Sequence, residues 1–379
     1  MNGARVFEDA YSGVFREQED FLGFLHRIMD NSCWKRKKVN NLRLLPITAG
    51  SALEDELRSQ YADDGIDEEI ISDTVANTAL VLKSKDEIYP IRDCAIKSIL
   101  ERAGIQGSGL RRVERNVYAR ILNDILKVTK GEALLRISEG KLSAVLSGDC
   151  NDYAILDMEQ IFLHTVEYLQ KNFSGCRYMG GFYEHDMVSA IWTIDEKDLL
   201  EAYKKELSDN GKTVDDMIPM VRVTTSDTGT CGANIYPMLL CVKDGKSTNL
   251  GSPLKLIHKN GSTMADYDEQ LKQLYGKYQQ AIGKLTKLLE IRIANPINCM
   301  KEMMTKIAIP KKYQAEALEL FKAQNDVWSA TAHDVYLGIS EVLFMLECEG
   351  ASGSRIAKME EQIARTISLD WEKYDFPEM

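Results

Sequence analysis

Between residues 133 and 260 the chain abandons the helical rhythm of its flanks for short β-branched runs, and that switch restricts it to an α+β body. Ala133 to Ser138 and Lys141 to Ser147 read as strands joined by the turn Glu139-Gly140, a hairpin signal. Tyr178 to Ile194 gives two more strands around Glu184-His185-Asp186, and Ile218 to Lys243 and Pro253 to His258 read as others. Asp157, with Gln160 three residues on, opens a helix running to about Lys171, and Asp195 opens the next. Helices and strands interleave irregularly, which predicts a central mixed or antiparallel sheet flanked by N-terminal and C-terminal helical regions. The expected divisions are a mainly helical region over 1–130, the sheet core over 131–262 and a helical region over 263–379, all in one compact body.

Within the first region, Phe21, Phe24, Leu25 and Ile28 recur at helical spacing. Ser51 and Glu54 form a capping-box pattern for a short helix, followed by what reads as an acidic loop, so that carboxylates crowd residues 51–75. A β-branched run from Thr74 to Leu82 reads as a strand, residues 91–103 as a helix ended by Gly104, and Gly107-Ser108-Gly109 as a link into a longer helix. In the last region Leu271, Tyr275, Tyr278, Ile282, Leu285, Leu289 and Ile293 keep a seven-residue rhythm that Pro296 ends. Three or four shorter helices follow.

The formal net charge of −11 speaks against indiscriminate attraction to nucleic acid, but net charge says little about local fields. The N-terminus lacks the basic and apolar regions of a secretory signal, and no run approaches the roughly 18 apolar residues of a membrane helix. A cytoplasmic protein is expected. Eight cysteines without CxxC spacing argue for free thiols over a zinc site or disulfides. Neither a Walker loop nor a Rossmann fingerprint is present, and no cofactor or metal is expected.

The helix expected from Arg112 to Thr129 is the most informative segment. At roughly 100° per residue, Val113, Tyr118 and Leu122 fall on one side, and Arg112, Arg115, Asn116, Arg120, Asn123, Lys127 and Lys130 on the other. That polar arc contains no acid, although Asp124 borders it. Guanidinium, ammonium and amide donors in a line suit phosphate contacts; a solvated helix face is the plainer account. Opposite the seven-residue seam stand Lys277, Lys284 and Lys287, a second basic ridge. Trp34, beside Lys35 and Arg36, joins a stacking surface to charge, the pairing used for single strands. The turn Thr224 to Cys231 is dense in hydroxyls and reads as a structural turn or, less economically, as an anion site or a setting for a Cys231 nucleophile. Glu184-His185-Asp186 and the pair His164 and Glu167 carry ligand atoms in no recognised metal pattern.

Four segments, AIKSILERAGIQGSGLRRV (95–113), LLRISEGKLSAVLSGDCNDYAILDMEQIF (134–162), TTSDTGTCGANIYP (224–237) and WSATAHDVYLGISEVL (328–343), stand in the order and spacing of a family of mobile elements. Over roughly residues 91–345 the chain resembles the phage/plasmid-like family of unknown function. Gln106 stands where that family usually has proline, and extra residues precede Tyr153. The resemblance implies a mobile-element setting and a fold, not a mechanism.

Taken together, these readings lead to a non-enzymatic protein that binds nucleic acid, single-stranded DNA above all, and aids recombination or replication. The contacts expected are Arg112, Arg115, Arg120, Lys127, Lys130, Lys277, Lys284, Lys287, Trp34, Lys35 and Arg36. The alternative is an interaction module for a host defence or replication protein, motivated by the acidic stretch. No membrane partner is expected, and homo-oligomerisation is left open.

Overall fold

The computed structural model describes residues 5–85, 87–105, 109–148, 153–196, 198–243, 245–259, 261–325, 328 and 330–377. The expected Gly107-Ser108 link, Gln106 and Cys150 lie outside the described residues. In chain order the first elements are β1 (Ser12–Phe15), α1 (Gln18–Asp30), β2 (Ser32–Lys38), β3 (Arg43–Pro46), α2 (Ala52–Asp64), α3 (Glu69–Ala76), β4 (Leu80–Lys83), β5 (Ile88–Pro90), α4 (Asp93–Arg102) and α5 (Arg115–Leu126). The middle holds β6 (Glu132–Ser138), β7 (Lys141–Ser147), α6 (Met158–Asn172), β8 (Arg177–Glu184), β9 (Met187–Thr193), α7 (Asp198–Asp209), β10 (Met217–Thr225), β11 (Ala233–Cys241), β12 (Ser247–Asn249) and β13 (Leu254–Leu256). Six helices close the chain: α8 (Met264–Lys272), α9 (Leu274–Glu290), α10 (Pro296–Lys306), α11 (Lys311–Gln324), α12 (Ala332–Cys348) and α13 (Gly353–Arg365).

The architecture is α+β, with antiparallel sheets flanked by helices at both ends. The largest sheet runs β1-β8-β9-β10-β11-β12, with β13 also on β11; β2-β6-β7 and β3-β4-β5 form two smaller ones. The first 130 residues, expected to be mainly helical, also supply five strands, and two of these pair outside that region: β1 with β8 and β2 with β6. A parallel bridge from Ile91, just after β5, to Leu142 of β7 links the edges of the two small sheets.

Local chemistry explains the elements that sequence locates best. Glu139 and Gly140 both take positive φ (49° and 69°), the conformation a two-residue hairpin needs to match strand twist. The Asp157 side chain accepts from the Gln160 backbone N–H and starts α6. Ser51 accepts from the Glu54 N–H, while the Glu54 carboxylate reaches past the cap to the N–H of Gly50.

Other expectations change. The basic segment after α1, within the region expected to be mainly helical, is the strand β2, at the edge of its sheet. The acidic loop is absent: those residues form α2 and α3. The run from Thr74 contributes a strand only from Leu80 to Lys83. The seven-residue seam is interrupted at Gln273, where α8 gives way to α9, so that Leu274 is buried and Tyr275 exposed. Pro296 does more than end the preceding helix; it is the first residue of α10, where its missing N–H is no loss.

The main core lies between the large sheet and α1, α6 to α10 and α12. A second core joins the small sheets to α4 and α5. Both faces of β10 are covered: Val221 and Val223 enter the main core, while Met220 packs on the other face with Tyr236 and Met238. On that face Arg222 pairs with Glu360 of α13, both buried.

Candidate nucleic-acid interface and its surroundings

The α5 helix begins at Arg115, with Glu114 as its cap accepting from the N–H groups of Asn116 and Val117. Its buried residues are Tyr118, Ala119, Leu122, Ile125 and Leu126. Arg115 stands three, four and seven residues before Tyr118, Ala119 and Leu122, and therefore on the inward face. It is half-buried and donates to the backbone carbonyl of Asn77. This corrects its assignment to the outer arc.

Asn123 leaves the arc as well. Its amide accepts from the Leu44 N–H at 2.7 Å and donates to the Leu44 carbonyl at 2.8 Å. The free edge of β3 is closed by a side chain, one way of blunting an exposed strand edge. Replacing Asn123 with Ala is expected to lower stability by roughly 1–3 kcal/mol, because two part-buried backbone groups lose their partner. Asn123→Asp, which keeps only the acceptor, should fall between. Urea denaturation decides; an Asn123→Ala midpoint equal to that of the parent protein would contradict the clip.

Arg112, Arg120, Lys127 and Lys130 are exposed, and among the described residues none has a carboxylate within ion-pair distance. The end of β2 comes to the same place. The Val39 N–H donates to the Gly131 carbonyl at 2.9 Å, and Lys38 lies opposite Glu132 in the ladder. Arg36 and Lys38 are both exposed and without an ion-pair partner among the described residues, but they stand opposite Leu134 and Glu132, on the sheet face away from α5, whose core takes Ala133 and Leu135.

The other candidates are placed differently. Lys35 and Lys37 both pair with Glu87, at 2.5 and 2.6 Å. Burial raises the Glu87 carboxyl, but the two ammonium groups outweigh it and hold the group down at about 2. Trp34 is half-buried against Tyr153, with the Arg136 guanidinium over its ring at 5.2 Å, so this face is already occupied. The α9 ridge is remote in packing terms, since α9 rests on α7, α12 and β11 in the main core. There Lys277 is half-buried, its ammonium lowered by burial and by Lys284, and Lys284 donates to Ser368. Lys287 is exposed. The structure therefore leaves the α5 cations on their own, with Arg36 and Lys38 on the other face of the β2 sheet and the α9 lysines apart.

Five of the nine carboxylates in the acidic stretch are ion-paired. Glu54 and Glu68 hold Arg58, Glu56 holds Lys83, Glu69 holds Arg5, and Asp73 holds Lys141.

The hydroxyl-rich turn between β10 and β11 is a docking element. Ser226 accepts from the Thr228 N–H, and the hydroxyls of Ser226, Thr228 and Thr230 form a chain. Asp227 accepts from Arg136 Nε at 2.5 Å, tying the large sheet to β6. Gly229 has φ of 80°, and a side chain there would press on Leu146 and Arg102. Burial pushes the Cys231 thiol up to about 12, with Lys358 pulling the other way, which is the reverse of an activated nucleophile.

His185 is buried beside Arg92, whose guanidinium lies 3.0 Å from Nε2; burial first, and then that charge, drive its pKa well below the ordinary value. Glu184 accepts from the Ser354 N–H, Asp186 faces Lys97 and Lys358, and His164 bonds Asp268. Among the described residues no three His, Cys, Asp or Glu side chains are grouped to hold a metal ion, and no helix is long and apolar enough to cross a membrane.

No protein-family model, curated protein or solved structure matches this chain.

Proposed function

We propose that this chain binds nucleic acid through the outer face of α5 and its flanks. The observation that carries the reading is the exposed row of Arg112, Arg120, Lys127 and Lys130, none of them ion-paired among the described residues. Elsewhere on this acidic protein many lysines and arginines are matched to carboxylates, as Lys83, Arg58 and Lys212 are. Cations without such partners favour phosphate, whose condensed counterions they release. Lys35, Arg115, Trp34 and the α9 lysines drop out of the contact set, being paired, inward-facing, covered or elsewhere. The finer part of the proposal is a cytoplasmic protein acting on single-stranded DNA and aiding recombination or replication, in the phage or plasmid-type element that the family resemblance implies.

Fluorescence anisotropy with labelled single-stranded and duplex DNA at two salt concentrations tests it. Binding should weaken steeply with salt. The variant Arg112→Ala/Arg120→Ala/Lys127→Ala should bind more weakly and show a log–log salt slope smaller by about 2–3, roughly one for each phosphate no longer neutralised. Lys284→Ala/Lys287→Ala should match the parent. No binding of either DNA at low salt sinks the proposal, and equal binding by the triple variant sinks the assignment of the face.

A further inference from the structure

A cavity of about 310 Å³ opens in the wall of the main core, between α7, α9, α12 and the β11–β12 edge. Helical spacing sets one side of it: Leu337, Glu341, Phe344 and Glu347 of α12 follow one another every three or four residues along the lining. Leu207, Met217, Leu239 and Leu285 supply apolar wall. Leu337 and Phe344 stay 40% and 47% exposed, so the apolar surface continues from the interior to the rim. The size and the apolar lining are those of a small-molecule site.

The charges of the lining select the ligand. Two cations, Lys212 and Lys246, stand against four carboxylates, those of Asp215, Asp334, Glu341 and Glu347. Both ammonium groups are committed. Lys212 pairs with Asp334 at 2.7 Å, and the Thr331 N–H and hydroxyl donate to the same carboxylate. Lys246 pairs with Glu341 at 2.6 Å and lies over the Phe344 ring. Asp215 has Lys243 at 3.4 Å. Glu347 differs, being exposed and without an ion-pair partner among the described residues. The buried cation that feels its charge, Arg222, is held by Glu360. Tyr203 and His333 are buried in the wall and share a hydrogen bond of 2.6 Å, with His333 Nδ1 enclosed, so neither offers a ligand a polar contact. An anion would have to displace a carboxylate from Lys212 or Lys246. A cation meets a free carboxylate at the edge of an apolar wall, in a lining that is negative on balance.

We infer that this cavity binds a small amphipathic amine. Its apolar body lies against Leu207, Leu239, Leu337 and Phe344, and its ammonium group meets the Glu347 carboxylate. The existing ion pairs stay closed, and the sign of the charge at the rim supplies the selectivity. The site is independent of the nucleic-acid face.

Ligand-observed saturation-transfer NMR titrations of the full chain at neutral pH and low salt, with 3-phenylpropylamine, 3-phenylpropan-1-ol and 3-phenylpropionate, test it. The three probes share one body and carry a positive, a neutral and a negative end. The amine should bind about two- to fivefold more tightly than the alcohol, the range of a partly screened ion pair, and the propionate more weakly than either. Glu347→Gln should bring the amine close to the alcohol, and Glu347→Lys should place it below. Glu347 is exposed, so both variants keep the fold, which circular dichroism checks. Ser340→Phe, which fills the cavity from α12, should abolish binding of all three probes. The proposal is overturned if the amine does not bind the parent, or binds no more tightly than the alcohol or the propionate. It is equally overturned by an amine preference unchanged in Glu347→Gln, or by undiminished amine binding to folded Ser340→Phe. Should Ser340→Phe fail to fold, the two Glu347 variants decide.

Discussion

Lys141→Met is expected to destabilise the protein by roughly 3–5 kcal/mol, the range found when one partner is taken from a buried ion pair. Lys141 is fully buried at the start of β7, yet it reaches two carboxylates from distant parts of the chain: Asp9, at 3.0 Å, and Asp73 of α3. Arg92, 1% exposed, stands beside Asp9 at 3.7 Å and donates to the carbonyls of Phe7 and Ser138. The ammonium is therefore the common partner that holds the N-terminal segment and α3 onto the hairpin of the second core. Methionine preserves the stem and its packing, so the loss isolates the charge. What remains is a pair of poorly hydrated carboxylates, one of them still near Arg92. Asp73 keeps some exposure, which places the expected cost nearer the lower figure. The double variant Lys141→Met/Asp73→Asn removes one stranded charge and should regain part of the loss. Urea denaturation of the three proteins measures this. An unchanged midpoint in Lys141→Met, or no recovery in the double variant, would mean that the cluster is solvated and holds nothing together.

Interactions of this kind explain which parts of the fold are legible in the sequence. The β6–β7 hairpin is, because Glu139-Gly140 carries its turn conformation locally and the strands on either side are β-rich. The start of α6 is legible for the same reason: Asp157 and Gln160 are partners three residues apart. β2 is not. Four of its seven residues are Lys or Arg, and such a strand survives only as an edge beside β6, with Glu87 below it to take two of the charges. The phase of α5 fails for a smaller reason. Starting the helix at Arg112 rather than Arg115 obscures which face Arg115 occupies, and the buried residues settle it.

The candidate site is legible only in its outer layer. Arg120, Lys127 and Lys130 can be grouped by periodicity, because one helix carries or immediately precedes them all. That Arg36 and Lys38 turn to the sheet face away from them is set by β2 pairing with β6, a contact across about a hundred residues. Asn123 looks like one more donor on a polar arc until β3 is seen against it. Nothing in the local pattern marks Lys141 or Arg136 as buried, since a cation in an alternating strand reads as a solvent-facing residue.

Acidification should expose one of these hidden groups. His333 has its pKa held at about 4 by burial, with Asp334 pulling it up and Lys212 pushing it down. In the unfolded chain the ring titrates near 6.5. The folded pKa lies below the unfolded one, so between these values the unfolded state binds the extra proton and acid favours unfolding. The contribution of His333 is full above about pH 6.5, declines as pH falls and is constant below about 4. At about 1.4 kcal/mol per pH unit, the loss across that window is roughly 3 kcal/mol. His185 is depressed in the same direction, so the total acid sensitivity does not isolate His333. His333→Gln does, since its amide oxygen still accepts from Tyr203 while no longer titrating. The difference in unfolding free energy between parent and His333→Gln, followed from neutrality down to about pH 4, cancels every histidine the two proteins share. That difference should shift against the parent by roughly 3 kcal/mol. Two curves that stay parallel would mean that water reaches the imidazole in the folded protein and leaves Nδ1 hydrated.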